Sequence, residues 1–143
     1  MSEVTEFRSF NIRRLLQAHT ALWHSTVSAD VTSVQFGVLL FLTESPELGQ
    51  RELMHLAQVD KSTLAELLLR MERHGLVSTR RDEVDRRRKT VTITEQGSTL
   101  LAELLPGARR VNELLTQNLN AEQRETFDAL LAAILHDVDL AAD

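Results

Sequence analysis

The sequence predicts a mainly α fold with a small β-hairpin, and three observations predict it. Gly and Pro are scarce, at 5 and 2 residues, while good helix formers such as Leu, Ala, Glu and Arg are plentiful. Apolar residues recur at helical spacing through most of the chain. Residues 76–93 alone alternate with the two-residue period of strands, split by a loop that ends in four consecutive cations, Arg86, Arg87, Arg88 and Lys89. A helix running into a basic-tipped hairpin is the arrangement of a winged helix-turn-helix. The helices on either side of it, N- and C-terminal, are left to join two copies.

Val4 to Ser28 reads as the first helix, with Ile12, Leu15, Leu16, His19, Leu22 and Trp23 in one stripe. Val31 to Thr43 reads as the second. Thr32 and Gln35 form its capping box, VLLFL gives it a fully buried middle, and Ser45-Pro46 ends it. Gly49 to Gln58 is a short third helix with Leu53, Leu56 and Ala57 turned inward. Asp60 caps a fourth, Lys61 to His74, whose inner face carries Leu64, Leu67, Leu68 and Met71, with Gly75 as the C′ residue. Strands Leu76–Arg80 and Lys89–Ile93 follow, with Val91 and Ile93 on one face. Thr94 caps the next helix, which shows Leu100, Leu101, Leu104 and Leu105 on its apolar side. Pro106 is expected to kink or break it, because proline supplies no N–H to the carbonyl one turn back and crowds it. The helix resumes through Val111, Leu114, Leu115 and Leu119. Asn120 and Gln123 open the last one, striped by Phe127, Leu130, Leu131, Ile134, Leu135 and Val138.

No linker or repeat divides the 143 residues, which suffice for one core. No apolar run approaches the length of a membrane span, and the polar start, MSEVTEFRSFN, is no secretory signal. With no Cys there is no disulfide and no thiolate chemistry; a cytoplasmic protein without a cofactor is the simplest reading. Net charge is −5, but its distribution matters more than its sum. Lys61 to Lys89 carry about +4 and the remainder about −9, the footprint of a nucleic-acid module on an acidic body, or else of a solvated charged face. The first helix and the last two bear more apolar surface than a small winged helix covers, so a homodimer is expected. The division is then a DNA-binding lobe over 32–93 and dimerisation helices over 4–28 and 95–140. Ile12, Leu119, Phe127, Leu130, Leu131, Ile134 and Leu135 are the candidate dimer contacts.

Two stretches, RELMHLAQVDKSTLAELLLRMERHGLV and DRRRKTVTITEQG, resemble the MarR family of bacterial winged-helix transcriptional regulators. The resemblance covers nearly the whole chain. Its wing signature falls on Asp85, Arg87, Val91, Ile93, Thr94 and Gly97. It implies a homodimer on a pseudo-palindromic operator in double-stranded DNA, with a recognition helix in the major groove and the wing in the flanking minor groove. It further implies a small phenolic or other aromatic acid, or its coenzyme A thioester, bound between the dimerisation helices and the DNA-binding lobe and relieving repression.

Each candidate carries a plainer reading beside the functional one. Lys61, Ser62 and Thr63 open the recognition helix, where hydroxyls and N–H groups meet phosphates or simply cap. Ala65 suits a thymine methyl. Glu66 stands where the family often has Arg, and either accepts from cytosine N4 or faces solvent. Arg70 pairs with Glu66 one turn back or meets a phosphate. Arg73 suits the helix C-terminus without DNA. Four adjacent cations from Arg86 to Lys89 repel one another, so an anionic partner explains them best. Arg87 matches the family's minor-groove arginine, and Asp85 orients it or its neighbour. Arg80 and Arg81 reach the backbone or end a solvated strand. His19 and Trp23, with Phe36, Phe41 and Arg13 (or Arg14), are the effector-site candidates; His19 and Trp23 read equally as core.

Two other function classes compete. A winged helix that binds protein instead of DNA needs no run of cations. An enzyme lacks any supporting motif, since no Gly-rich phosphate loop, GxSxG or HExxH is present. His19 and His24 share a helix, but their spacing is poor for a joint metal site.

Overall fold

The computed structural model describes residues 3–136 and Val138. The chain runs α1 (Glu3–Glu6), α2 (Arg8–Thr26), α3 (Ser33–Glu44), β1 (Leu48–Gly49), α4 (Gln50–Ala57), α5 (Lys61–Arg73), β2 (Val77–Arg81), β3 (Lys89–Ile93), α6 (Glu95–Leu115) and α7 (Ala121–His136). The three strands form one antiparallel sheet in the order β1-β3-β2. β2 and β3 pair from Val77 opposite Ile93 to Arg81 opposite Lys89, and β1 sets Leu48 opposite Val91.

Local chemistry fixes most of the boundaries. Thr32 accepts from the Gln35 N–H while Gln35 accepts from the Thr32 N–H, so the capping box forms as its residues require. Asp60 and Thr94 cap α5 and α6, and Asn120 and Gln123 exchange bonds at the start of α7. Gly75 takes φ +74°, the left-handed geometry that ends α5. Thr94 Oγ1 accepts from the Gly97 N–H and donates to the Gly75 carbonyl, so one side chain closes α5 and opens α6. Gly97 has no room for a side chain, since a Cβ would run into the Leu76 carbonyl oxygen.

Five details depart from the sequence reading. The expected first helix is interrupted at Phe7, which adopts extended geometry (φ −77°, ψ 102°). It ends at Thr26, where Val27 and Ser28 both donate to the Trp23 carbonyl. The middle of α3 is not uniformly buried, for Leu40 and Phe41 are half-exposed while Val38, Leu39 and Leu42 are sealed. Leu56 is not inward: it is 43% exposed, and Met54 takes the inner place beside Leu53. Pro106 does not break its helix, and α6 continues through it. Close by, Gly107 lets the helix approach α2, where a Cβ would lie 3.0 Å from the Thr26 carbonyl oxygen. The expected end of the last helix, beyond Val138, lies outside the described residues.

The main core gathers Val38, Leu39, Leu42, Leu53, Leu64, Leu68, Met71, Val77, Val91 and Leu101 from α3 to α6. A smaller cluster, Trp23, Ala108 and Val111, marks where α2 crosses α6. Leu68 is 2% exposed in the main core. Its replacement by Ala is expected to lower unfolding free energy by about 3 kcal/mol, forfeited packing and residual cavity together, as a denaturant titration would read. No helix among the described residues is long and apolar enough to cross a membrane.

Candidate nucleic-acid interface

α4, a tight turn and α5 form the helix-turn-helix. Gln58 takes the turn's left-handed conformation (φ 54°), and the Val59 N–H returns to the Met54 carbonyl. α5 then begins at Asp60. One Asp60 oxygen accepts from the Thr63 N–H and the Ser62 hydroxyl, each at 2.8 Å, and the other from the Thr63 hydroxyl at 3.0 Å. Both hydroxyls expected at DNA are therefore engaged in the cap. The Thr63 N–H, followed by the Ser62 and Thr63 hydroxyls, holds the Asp60 carboxyl below its ordinary value of 3.8. A depressed carboxylate contributes stability in full above that value and loses it as pH falls through the folded pKa. The acid limb of a melting-temperature profile, below about pH 4, is expected to be shallower for Asp60→Asn than for wild type.

Lys61, Ala65, Glu66 and Arg70 are exposed along α5. Glu66 and Arg70 form no ion pair among the described residues. The wing is more ordered than a run of like charges suggests. The Arg88 N–H donates to the Asp85 carbonyl and the Asp82 N–H to the Arg88 carbonyl, which closes the loop. Asp85 Oδ1 accepts from the Arg87 N–H at 3.1 Å and from Arg87 Nε at 3.3 Å, the orienting contact expected of it. The Arg87 side chain stays 93% exposed.

Arg88 behaves differently from the other three cations. Its Nη2 lies 2.7 Å from Glu52 Oε1 on α4, so it is paired outside the wing loop, whereas Arg87 pairs with Asp85 inside it. Arg80 approaches Glu47 only loosely, at 4.0 Å. Arg86 and Lys89 are exposed and unpaired among the described residues. Sequence reasoning missed Glu52 and also Glu72, whose Oε1 accepts from the N–H and hydroxyl of Thr79 and so ties the end of α5 to β2. No local pattern announces either contact. Lys61, Asp85, Arg87, Arg88 and Lys89 line one open cleft of about 690 Å³ with the first residues of α4. The start of α5 and the wing thus face a common open space.

The effector candidates divide. His19, Trp23 and Phe36 come together, with ring centroids 6.1 Å and 5.2 Å apart. Trp23 is buried and donates Nε1–H to the Val31 carbonyl at 2.7 Å, the bond a core indole requires. Phe41 packs on the main core instead, and Arg13 is exposed nearly two turns before His19. Of the candidate dimer contacts, Ile12, Leu130, Leu131, Ile134 and Leu135 are exposed in the single chain, at 39–60%. Phe127 and Leu119 are half-exposed, and α7 buries no residue. Among the described residues no cluster of His, Asp or Glu could hold a metal.

Comparison with known proteins agrees with this geometry. The MarR family model matches residues 29–88. The transcriptional regulator HosA of Escherichia coli O157:H7 is 36% identical over 125 residues, 87% of this chain and 92% of HosA. The crystal structure of the PcaV transcriptional regulator from Streptomyces coelicolor with its natural ligand superposes with a TM-score of 0.89 at 31% identity, covering 96% of this chain and 97% of that one. BpsR of Bordetella bronchiseptica, whose DNA binding is regulated by 6-hydroxynicotinic acid, superposes at 0.88 with 26% identity over 97% and 99%. The winged helix, its basic cleft and these relatives agree, and the chain belongs to the MarR family of transcriptional regulators, not to an enzyme family.

Proposed function

We propose that this regulator is a cytoplasmic homodimeric repressor that leaves a pseudo-palindromic operator when a small aromatic acid binds. The observation that carries the reading is the shared cleft between the start of α5 and the wing, with Arg87 held by Asp85 yet almost fully exposed. In this reading residues 32–93 form the DNA-binding lobe. α5 enters the major groove with Lys61, Ala65, Glu66 and Arg70, and the wing sets Arg87 in the minor groove beside it. Arg86 and Lys89 meet phosphates. The helices over 4–28 and 95–140 join two copies. Selecting DNA from a random duplex library tests this. Inverted repeats with half-sites about 10 bp apart are expected, bound with a steep inverse dependence on salt. Failure to retain any duplex overturns it.

The effector class rests on the similarity to BpsR, whose DNA binding is regulated by 6-hydroxynicotinic acid, and on the His19–Trp23–Phe36 cluster beside the α2–α6 crossing; PcaV, also similar, was solved with its natural ligand. A hydroxylated aromatic or heteroaromatic acid, or its coenzyme A thioester, would stack against such rings, with the His19 imidazole as a polar partner. A ligand present at a hundred times its dissociation constant adds about 2.7 kcal/mol of stability, which a thermal-shift screen of these acids and thioesters would detect. The same compounds are expected to release the selected duplex.

A further inference from the structure

Glu52 lies where an acid is least expected, in the cleft that also holds Lys61, Arg87 and Lys89. Its two oxygens have separate duties. Oε2 accepts from the Gly49 N–H at 3.3 Å, which caps α4, and Oε1 holds Arg88 Nη2 at 2.7 Å. Gly49 in turn pairs with Thr90 in the sheet. The guanidinium packs over Gly49, where a Cβ would lie 3.3 Å from Arg88 Nε. One carboxylate therefore joins the start of α4, the edge strand and the wing. The Arg88 backbone closes the wing loop at both ends, through Asp82 and Asp85, and Arg87 is the residue beside it.

We propose that Glu52 is a positioning residue for DNA binding: by clasping Arg88 against α4 it fixes the loop that presents Arg87. The inference rests on the reading that the wing contacts DNA. It has a sign of its own. A carboxylate that merely sat in a cleft for phosphates would repel them, and neutralising it would tighten binding. A clasp predicts the opposite, because the freed loop must be ordered again when DNA binds.

Glu52→Gln separates the two. Gly49 and Arg88 are held by different carboxylate oxygens; an amide keeps only one of these as an acceptor and sets an NH2 donor against the other partner, so the two contacts are not both kept in the wild-type geometry. Wild type, Glu52→Gln, Arg87→Ala and the double variant are titrated at fixed salt with a duplex selected by wild type, and each is melted to check folding. Glu52→Gln is expected to weaken binding about fivefold, and Arg87→Ala to cost about fivefold less in that background than in wild type. Arg88→Ala, which leaves the α4 cap intact, is expected to shrink the cost of Arg87→Ala in the same way. Unchanged or tighter binding by Glu52→Gln overturns the proposal, as does an undiminished cost of Arg87→Ala in both backgrounds. Wild type that binds no duplex overturns the DNA-binding reading itself, which is a distinct result.

Discussion

Arg87→Ala is expected to weaken binding to every duplex by about 30-fold while leaving fold and oligomeric state unchanged. The side chain is almost fully exposed and, among the described residues, its hydrogen-bond and ion-pair partner is Asp85, so its removal leaves no cavity and no buried polar group. Exposed substitutions of this kind shift stability within about 0.5 kcal/mol. What disappears is a guanidinium aimed by its neighbour, and a lysine does not replace its planar fork. The slope of log affinity against log salt should fall in magnitude by about 0.9 for each phosphate that is no longer neutralised. Arg80→Ala is the control, since Arg80 has only a loose contact with Glu47, and it is expected to cost less. Fluorescence anisotropy across a salt series would read both quantities. Wild-type affinity in Arg87→Ala would remove the wing from the DNA-binding surface.

Ile134→Glu is expected to yield monomers and to cost about a hundredfold or more in affinity for an inverted repeat. Ile134 is 59% exposed on a helix that buries nothing within its own chain. It shares that face with Leu130, Leu131 and Leu135, and Ile12, Leu15 and Leu16 are exposed on α2. An exposed apolar helix face of this kind marks an interaction surface. A carboxylate placed within it must be desolvated without a partner, which a dimer does not tolerate. In the proposed dimer two copies of α5 would bind two half-sites as a linked pair, and separating them would forfeit an avidity gain on the order of 10² or more. Sedimentation would report the mass and anisotropy the affinity. A variant that stays dimeric would move the interface elsewhere.

Much of this fold was legible because its punctuation is local. Thr32 with Gln35, Asp60 with Thr63, and Asn120 with Gln123 each satisfy backbone groups within one turn, so residue types three apart suffice to read them. Gly75 likewise declares the end of α5. What could not be read depends on distant partners. β1 is two residues long and exists only because Leu48 and Gly49 meet Val91 and Thr90; two residues carry no periodicity. The Glu52–Arg88 pair bridges positions 36 apart. It turns one of four apparently equivalent cations into a part of the framework. Pro106 misled for a related reason. The local rule penalises the helix, but Leu104, Ala108 and Val111, buried on either side of it, hold the helix in one piece.

The double role of Thr94 has a mechanical consequence. α6 is a rod of 21 residues. One end is bolted to the close of the recognition helix through the Thr94–Gly75 bond and the seat of Gly97 on Leu76. Further along, Ala108 and Val111 bear on Trp23. Such a rod is a lever with its fulcrum beside the aromatic cluster. At 1.5 Å per residue its arm is about 20 Å, so a tilt of roughly 5° at the fulcrum moves the far end by nearly 2 Å. In the proposed dimer, a displacement of that size at each copy of α5 would spoil the match to two half-sites at once.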